Sequence, residues 1–206
     1  MILDRKAHWE KVYGEKGEQE TSWFQPRPEI SLALIEVSDE PLEASLIDVG
    51  GGASRLVDLL LARGWSNLSV LDISATALRT VQRRLGAKAK EVRWLEADLL
   101  EGVPGGPYRI WHDRAVFHFL TQPADRQRYL LALERSLAPG GTCIIAAFSP
   151  EGPERCSGLP VQRYSPAQLA ETLGAGFELL DIREEQHRTP AGKVQSFVYC
   201  RFRRLG

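Results

Sequence analysis

The chain has 206 residues, 43% hydrophobic and 26% charged, with a formal net charge of -1. Those proportions suit one soluble globular domain, or a compact domain with one short appended segment. So even a balance leaves no electrostatic footprint for nucleic acid or an acidic membrane surface, and neither partner is expected.

Cys143, Cys156 and Cys200 are widely separated and form no CxxC, which argues against a zinc ribbon or a disulfide framework. The four histidines show no HxxH or HExxH spacing, so no metal is expected. The N-terminal stretch MILDRKAHWEKVYG carries charges throughout and lacks the apolar core of a signal peptide. No apolar run is long enough to span a bilayer. A reducing, cytoplasmic setting is the expectation.

Residues 1 to about 25 are polar and dotted with aromatics: Trp9, Tyr13, Trp23 and Phe24. Pro28 is placed to open a helix that runs to about Val37. SLIDVGG (45–51) reads as a buried strand entering a tight loop. SRLVDLLLARG has helical spacing, with Gly64 as its stop. NLSVLDIS is a second strand, ATALRTVQRRLG a second amphipathic helix, and VRWLEADLL a third strand. YRIWHDRAVFHFL contains a fourth strand, PADRQRYLLALERSLAPGG a helix ending in a Pro-Gly-Gly turn, and TCIIAAFS a fifth strand. A turn-rich loop, residues 150–164, leads to the helix SPAQLAETLG, capped by Ser165 with Pro166 in its first turn. FELLDIREEQHRTP and KVQSFVYCRFRR alternate apolar with polar, as a terminal antiparallel pair would. Apolar strands alternating with helices predict one domain built on a parallel sheet covered on both faces.

In such a sheet, ligands bind outside the carboxyl ends of the strands, which directs attention to four strand exits. DVGGGAS follows the first strand, and Gly50, Gly51 and Gly52 let the backbone approach a ligand. A dinucleotide loop of the form G-x-G-x-x-G would need a third glycine where Arg55 stands, and Asp48 would repel a pyrophosphate. An NAD(P)-linked reductase is therefore disfavoured, while a ligand carrying an ammonium is favoured. Asp72 ends the second strand, where a carboxylate can accept from ribose hydroxyls. Asp98 ends the third, suited to an exocyclic amine. Capping the next helix or turn is the alternative role of both.

Taken together, these features resemble the class I S-adenosylmethionine-dependent methyltransferases. The resemblance rests on DVGGGAS (Asp48–Ser54), on Asp72-Ile73-Ser74, on Glu96-Ala97-Asp98-Leu99, and on Pro139-Gly140-Gly141 before the fifth strand. Ser54 stands where a third glycine is usual. The resemblance implies a Rossmann-like, doubly wound, mostly parallel seven-stranded sheet with an antiparallel last strand. It implies S-adenosyl-L-methionine as cofactor and S-adenosyl-L-homocysteine as product. Asp48 and Gly50–Gly52 would hold the methionine moiety, Asp72 the ribose, Ile73 and Leu99 the two sides of the adenine, and Asp98 its amine. Ser54, Ala97 and Asp113 belong to the same expected set. The N-terminal segment resembles the aromatic-rich lead of small methyltransferases, in which Trp9, Tyr13 and Trp23 would cover the cofactor.

The fourth strand's exit would face the transferred methyl. It reads His112-Asp113-Arg114, with none of the prolines found in DNA amine methyltransferases. These three are the catalytic candidates: His112 as a base, Asp113 to orient it or pair with Arg114, and Arg114 to bind a substrate carboxylate or hold a local ion pair, with a strand-exit ion pair of no chemistry as the alternative for all three. His118, Cys156, Arg163, Tyr164 and His187 are the substrate-side candidates, with residues 150–164 over the acceptor; a core histidine is the favoured alternative for His118, and an inert small hydrophobe the commoner role of a lone cysteine such as Cys156. The expected activity is methylation of a small molecule. WE-x-x-Y…SWF also resembles the start of seven-stranded protein lysine methyltransferases, which makes a protein lysine the alternative acceptor. A cofactor-binding module without catalysis is the non-enzymatic reading.

Overall fold

The structure is a computed structural model that describes residues 4–206. A seven-stranded sheet forms the centre, and its strands are short apolar runs. They are β1 (Leu46–Val49), β2 (Leu68–Asp72), β3 (Val92–Glu96), β4 (Tyr108–Arg114), β5 (Leu137–Phe148), β8 (Phe177–Arg188) and β9 (Val194–Arg204). Arg155–Cys156 (β6) and Leu159–Pro160 (β7) make a separate two-stranded hairpin. The sheet order is β3-β2-β1-β4-β5-β9-β8. Pairs among β1 to β5 are parallel, and β9 runs antiparallel to both of its neighbours. The expected doubly wound sheet with an antiparallel last strand is thus present. Every residue of β1 and β2 is buried, as strands covered on both faces require.

The helices are α1 (Arg5–Glu15), α2 (Glu29–Glu36), α3 (Leu56–Ala62), α4 (Ala75–Leu85), α5 (Pro123–Ser136) and α6 (Pro166–Leu173). Local sequence sets their ends. The Ser74 side chain accepts from Ala77 N at the start of α4, and Ser165 forms a capping box with Gln168 at the start of α6. The apolar faces of α2, α3 and α4 pack on one side of the sheet, through Leu34, Leu60 and Val81 among others. Those of α5 and α6 pack on the other, through Tyr129, Leu133 and Leu169. Two details differ from expectation. Gly64 lies one residue past the C-cap of α3, which is Arg63. The Pro139–Gly141 turn is absorbed as a bulge in β5: pairing with β4 jumps from Tyr108↔Leu137 to Ile110↔Thr142.

Chain order reverses between β1 and β4. From β1 the sheet grows outward to β2 and β3, and from β4 outward to β5. The diverging connections open a crevice at the carboxyl ends of these strands. Parallel register sets Asp48 beside His112 and Val49 beside Asp113.

Candidate active site

A cleft of about 1200 Å³, part of it open to solvent, lies over that reversal point. Its floor comes from the strand exits: Asp48, Gly50 and Gly51 after β1, Asp72 and Ile73 after β2, Ala97 to Leu99 after β3. His112 and Arg114 of β4 close one side, and Trp9, Tyr13, Trp23 and Phe24 form the roof. Ser54 also lines it.

The glycine loop is cut to fit its surroundings. Gly50 has φ +62°, and a Cβ there would stand 2.0 Å from Val116 Cγ2. A Cβ on Gly52, at φ +51°, would stand 2.2 Å from the Tyr13 hydroxyl. At Gly51 it would come within 2.7 Å of Asp48 Oδ2. Glycine is therefore required for the loop to lie between the β4 exit, the roof and the Asp48 carboxylate.

The three strand-end carboxylates are held differently. Asp48 is buried, and its Oδ1 lies 2.7 Å from His112 Nδ1. Asp72 is buried, and its Oδ1 accepts from Ser74 N at 2.8 Å. Burial, reinforced by the nearby charges of Asp48 and Glu10, pushes its pKa up to about 7, against the pull of hydrogen bonds from Ser74 and Gly52. Asp98 Oδ1 accepts from Leu100 N at 2.9 Å, and its Oδ2 pairs with Arg5 at 3.2 Å. Asp98 caps the turn after β3, Ser74 rather than Asp72 caps α4, and both carboxylates line the cleft.

The β4 exit divides by strand alternation. His112 turns to the α2 side, where its Nδ1 meets Asp48 and its Nε2 lies 2.8 Å from Ser31 Oγ. Both ring nitrogens are engaged, so the imidazole is no free base in this arrangement. Asp113 turns the other way, which corrects the expectation that it reaches the reaction site or the cofactor. It is fully buried and does not line the cleft. Its carboxylate accepts from Tyr129 OH at 2.8 Å and from the Val116 and Phe117 amides, fixing the turn after β4. Burial pushes its pKa up to about 6. Ala115, next to this turn, has φ +72°, a strained position for a residue with a Cβ at the edge of the cleft.

Arg114 lines the cleft but is already committed. Nε donates to Tyr199 OH at 2.7 Å, and Nη1 donates to Trp23 O at 3.0 Å. Nη2 stands 3.5 Å from Glu185 Oε2, an ion-pair distance too long for a good hydrogen bond. The guanidinium lies 4.5 Å over the Phe197 ring. Tyr199 OH in turn donates to Glu185 Oε2, whose other oxygen accepts from Gln25 Nε2. Rather than standing ready for a substrate carboxylate, Arg114 fastens the N-terminal segment to β8 and β9.

The roof is held by edges rather than by a buried face, since α1 buries no residue. Glu10 accepts from Ala75 N at the start of α4, at 2.8 Å. Glu18 pairs with Arg55 and Arg84, both at 2.6 Å, and Arg5 spans Asp98 and Asp125. Beneath the roof, half-buried rings pack edge to face. Trp9 meets Trp23 at 5.9 Å and Phe119 at 5.0 Å, and Tyr13 meets Trp23 at 6.1 Å. Trp9, Tyr13 and Trp23 all line the cleft from the N-terminal segment.

The other substrate-side candidates lie away from the cleft. His118 is fully buried against Phe148 and Phe197, and burial pushes its pKa down to about 3, so it is a neutral packing residue. Tyr164 is buried against Phe117 in the opposite core. The Cys156 thiol is buried and pushed up to about 11 by desolvation, far from a reactive thiolate. Arg163 holds its own loop, donating to Pro150 O and pairing with Glu154. His187 Nε2 bonds Ser22 O at 2.8 Å and so braces the roof from outside. Residues 150–164 contribute nothing to the cleft lining, which corrects the expectation that this loop covers the acceptor. Sequence reading missed Ser31, Gln25, Val116 and Phe119, all of which line the cleft. Ser31 alone carried a signal, as a hydroxyl within the apolar run of α2.

The residues present fit a ligand with an ammonium, a vicinal diol and a flat apolar ring. Asp48 offers the ammonium an acceptor beside a loop stripped of Cβ atoms. The protonation of Asp72 is poised to change when hydroxyls donate to it. Ile73 and Leu99 supply apolar lining at the β2 and β3 exits. No cluster of potential metal ligands occurs among the described residues.

Comparison with known proteins agrees with this geometry. A family described as "Methyltransferase domain" matches residues 47–143, the span from β1 into β5. EEF1A lysine methyltransferase 2 of Mus musculus is 21% identical over 195 residues, 87% of this chain and 74% of that protein. Trans-aconitate 2-methyltransferase of Azoarcus sp. (strain BH72) is 32% identical over 116 residues, 55% of this chain and 42% of that one. Among solved structures, the 1,6-didemethyltoxoflavin-N1-methyltransferase of Burkholderia thailandensis superposes with a TM-score of 0.69 at 20% identity. That match covers 95% of this chain and 81% of the other, whose structure holds 1,6-didemethyltoxoflavin and S-adenosylhomocysteine.

Proposed function

We propose, from the premise that the chain is a class I S-adenosylmethionine-dependent methyltransferase, that it methylates a small-molecule acceptor held beneath the N-terminal roof. The observation that carries this reading is the closure of the cleft. The aromatic roof, the Arg114–Glu185–Gln25 fastening and the β4 exit surround the space beside the strand ends. A compact acceptor can sit within these walls, whereas a protein would present one side chain at the open mouth. A compact planar or apolar molecule matches walls made of Trp9, Trp23, Phe24 and Phe119.

In this reading Asp48, the Gly50–Gly52 backbone and Ser54 hold the amino-acid end of the cofactor. Asp72 accepts from the ribose hydroxyls, Ile73, Ala97 and Leu99 border the adenine, and Asp98 shares its carboxylate between Arg5 and the adenine amine. The bound cofactor supplies an electrophilic methyl on sulfur. The protein orients: the acceptor's lone pair must approach in line with the carbon–sulfur bond, and the fixed walls restrict it to that approach. Trp9, Tyr13 and Trp23 exclude water. His112, bonded at both nitrogens, serves cofactor binding, and an acceptor that loses a proton passes it to solvent at the cleft mouth.

A protein lysine is the second reading, favoured by the lysine methyltransferase match over 87% of this chain. The two readings separate in one experiment. Cell lysate is divided into protein and low-molecular-weight fractions, and each is incubated with enzyme and methyl-labelled cofactor. Label in the small-molecule fraction is the expected result. Label confined to a protein band would replace it with the lysine reading.

A further inference from the structure

Ser31 is the one polar side chain among the buried residues of α2, which otherwise buries Leu32, Leu34 and Ile35. Its hydroxyl lies 2.8 Å from His112 Nε2, while His112 Nδ1 lies 2.7 Å from Asp48 Oδ1. All three residues line the cleft, and all three are buried. A carboxylate oxygen accepts and a ring N–H donates, so the proton between Asp48 and His112 sits on Nδ1. The Ser31 hydroxyl, able to donate or accept, holds the ring from its Nε2 side. We infer that Ser31 is a positioning residue for cofactor binding. It holds the His112 ring so that Nδ1 stays turned on Asp48 Oδ1, which leaves Asp48 Oδ2 for the cofactor's α-ammonium.

The inference rests on the assignment of Asp48 to that ammonium, and the test separates the two. S-adenosylhomocysteine keeps the amino-acid end, whereas 5′-methylthioadenosine lacks it and keeps the adenosine. Both are titrated calorimetrically into the wild type and into Ser31→Ala, Ser31→Thr and Asp48→Asn variants. Ser31→Ala is expected to weaken S-adenosylhomocysteine about tenfold, the loss of one buried hydrogen bond and its consequences, and to leave 5′-methylthioadenosine within about twofold. Ser31→Thr restores the hydroxyl and the affinity. Nitrogen NMR of the free wild type is expected to show a proton on His112 Nδ1. An equal loss for both ligands in Ser31→Ala marks a merely structural serine and overturns the inference, as does no loss for either. A neutral ring protonated only on Nε2 overturns it too. If Asp48→Asn discriminates between the ligands and Ser31→Ala does not, only the role of Ser31 fails. If Asp48→Asn does not discriminate, the ammonium assignment fails with it.

Discussion

Asp72 offers the sharpest test of how this cleft takes its cofactor. Its carboxyl is buried at the end of β2, and burial together with the Asp48 and Glu10 charges raises its pKa from 3.8 to about 7. Ribose hydroxyls would donate to the ionised form, so a protein protonated at Asp72 must lose that proton to bind. The apparent dissociation constant then scales as one plus the ratio of protonated to ionised Asp72. For a pKa near 7 that factor is about 1.1 at pH 8 and about 11 at pH 6, a tenfold loss of affinity on acidification. Calorimetric titration of S-adenosylhomocysteine between pH 6 and 8 reads this directly, and binding above pH 7 in two buffers of different ionisation enthalpy should show little proton release. Asp72→Asn is expected to bind more weakly at pH 8 and to lose the slope below pH 7. The stability of the free protein has the opposite sign. The folded state binds the proton more tightly than the unfolded chain between pH 3.8 and about 7. Asp72 therefore favours folding as pH falls through that window, an increment complete below the unfolded value and lost as pH rises through the folded one. Wild type and Asp72→Asn compared by thermal melting should differ in slope accordingly. An affinity flat from pH 8 to pH 6, or a slope that survives Asp72→Asn, would refute the placement of the ribose on this carboxylate.

Other outcomes follow from the same contacts. Gly50→Ala drives a Cβ into Val116 Cγ2 and should cost on the order of 1–3 kcal/mol in denaturant unfolding, with weaker cofactor binding. A second change, Val116→Ala, should recover part of both losses, and no recovery would discount the clash. Tyr129→Phe removes the hydroxyl that donates to Asp113 Oδ2 and accepts from Trp111 Nε1. It should lower stability by about 1–3 kcal/mol while leaving S-adenosylhomocysteine affinity nearly unchanged, since Asp113 faces away from the cleft. A large loss of affinity without loss of stability would return Asp113 to the site. Arg114→Met leaves the half-buried Glu185 without its cation and frees Trp23 O, at a cost of about 1–3 kcal/mol by thermal or chemical unfolding. Glu18→Ala releases Arg55 and Arg84 from the roof for on the order of 1 kcal/mol, yet should speed proteolysis after Lys16 and Arg27.

The strand–helix alternation was enough to place Asp48, Asp72 and Asp98 at strand exits, because a strand buried on both faces announces its polar end. The glycine loop was legible for the same reason: three glycines after an apolar run have few other uses. His112, Asp113 and Arg114 were misread as one cluster, although alternation along β4 sends Asp113 to the opposite face from His112. That signal was present in the sequence, and polarity alone obscured it. Ser31 and Glu185 were beyond reach, since Ser31 meets His112 from 81 residues away and Glu185 meets Gln25 from 160 residues away along the chain. The loop 150–164 was assigned to the acceptor on family resemblance, but it packs behind the roof, where Cys156 is buried. Which loop covers a site depends on tertiary packing that no local pattern encodes.

The account's central claim is that one roofed cleft seats the cofactor and delivers its methyl inward. The structure of the complex with S-adenosylhomocysteine measures this most directly. The ribose should lie on Asp72, the ammonium on Asp48, and the sulfur should point under the roof toward Trp23, Phe119 and Arg114. A sulfur turned outward to solvent, or a ligand seated away from these carboxylates, would contradict it.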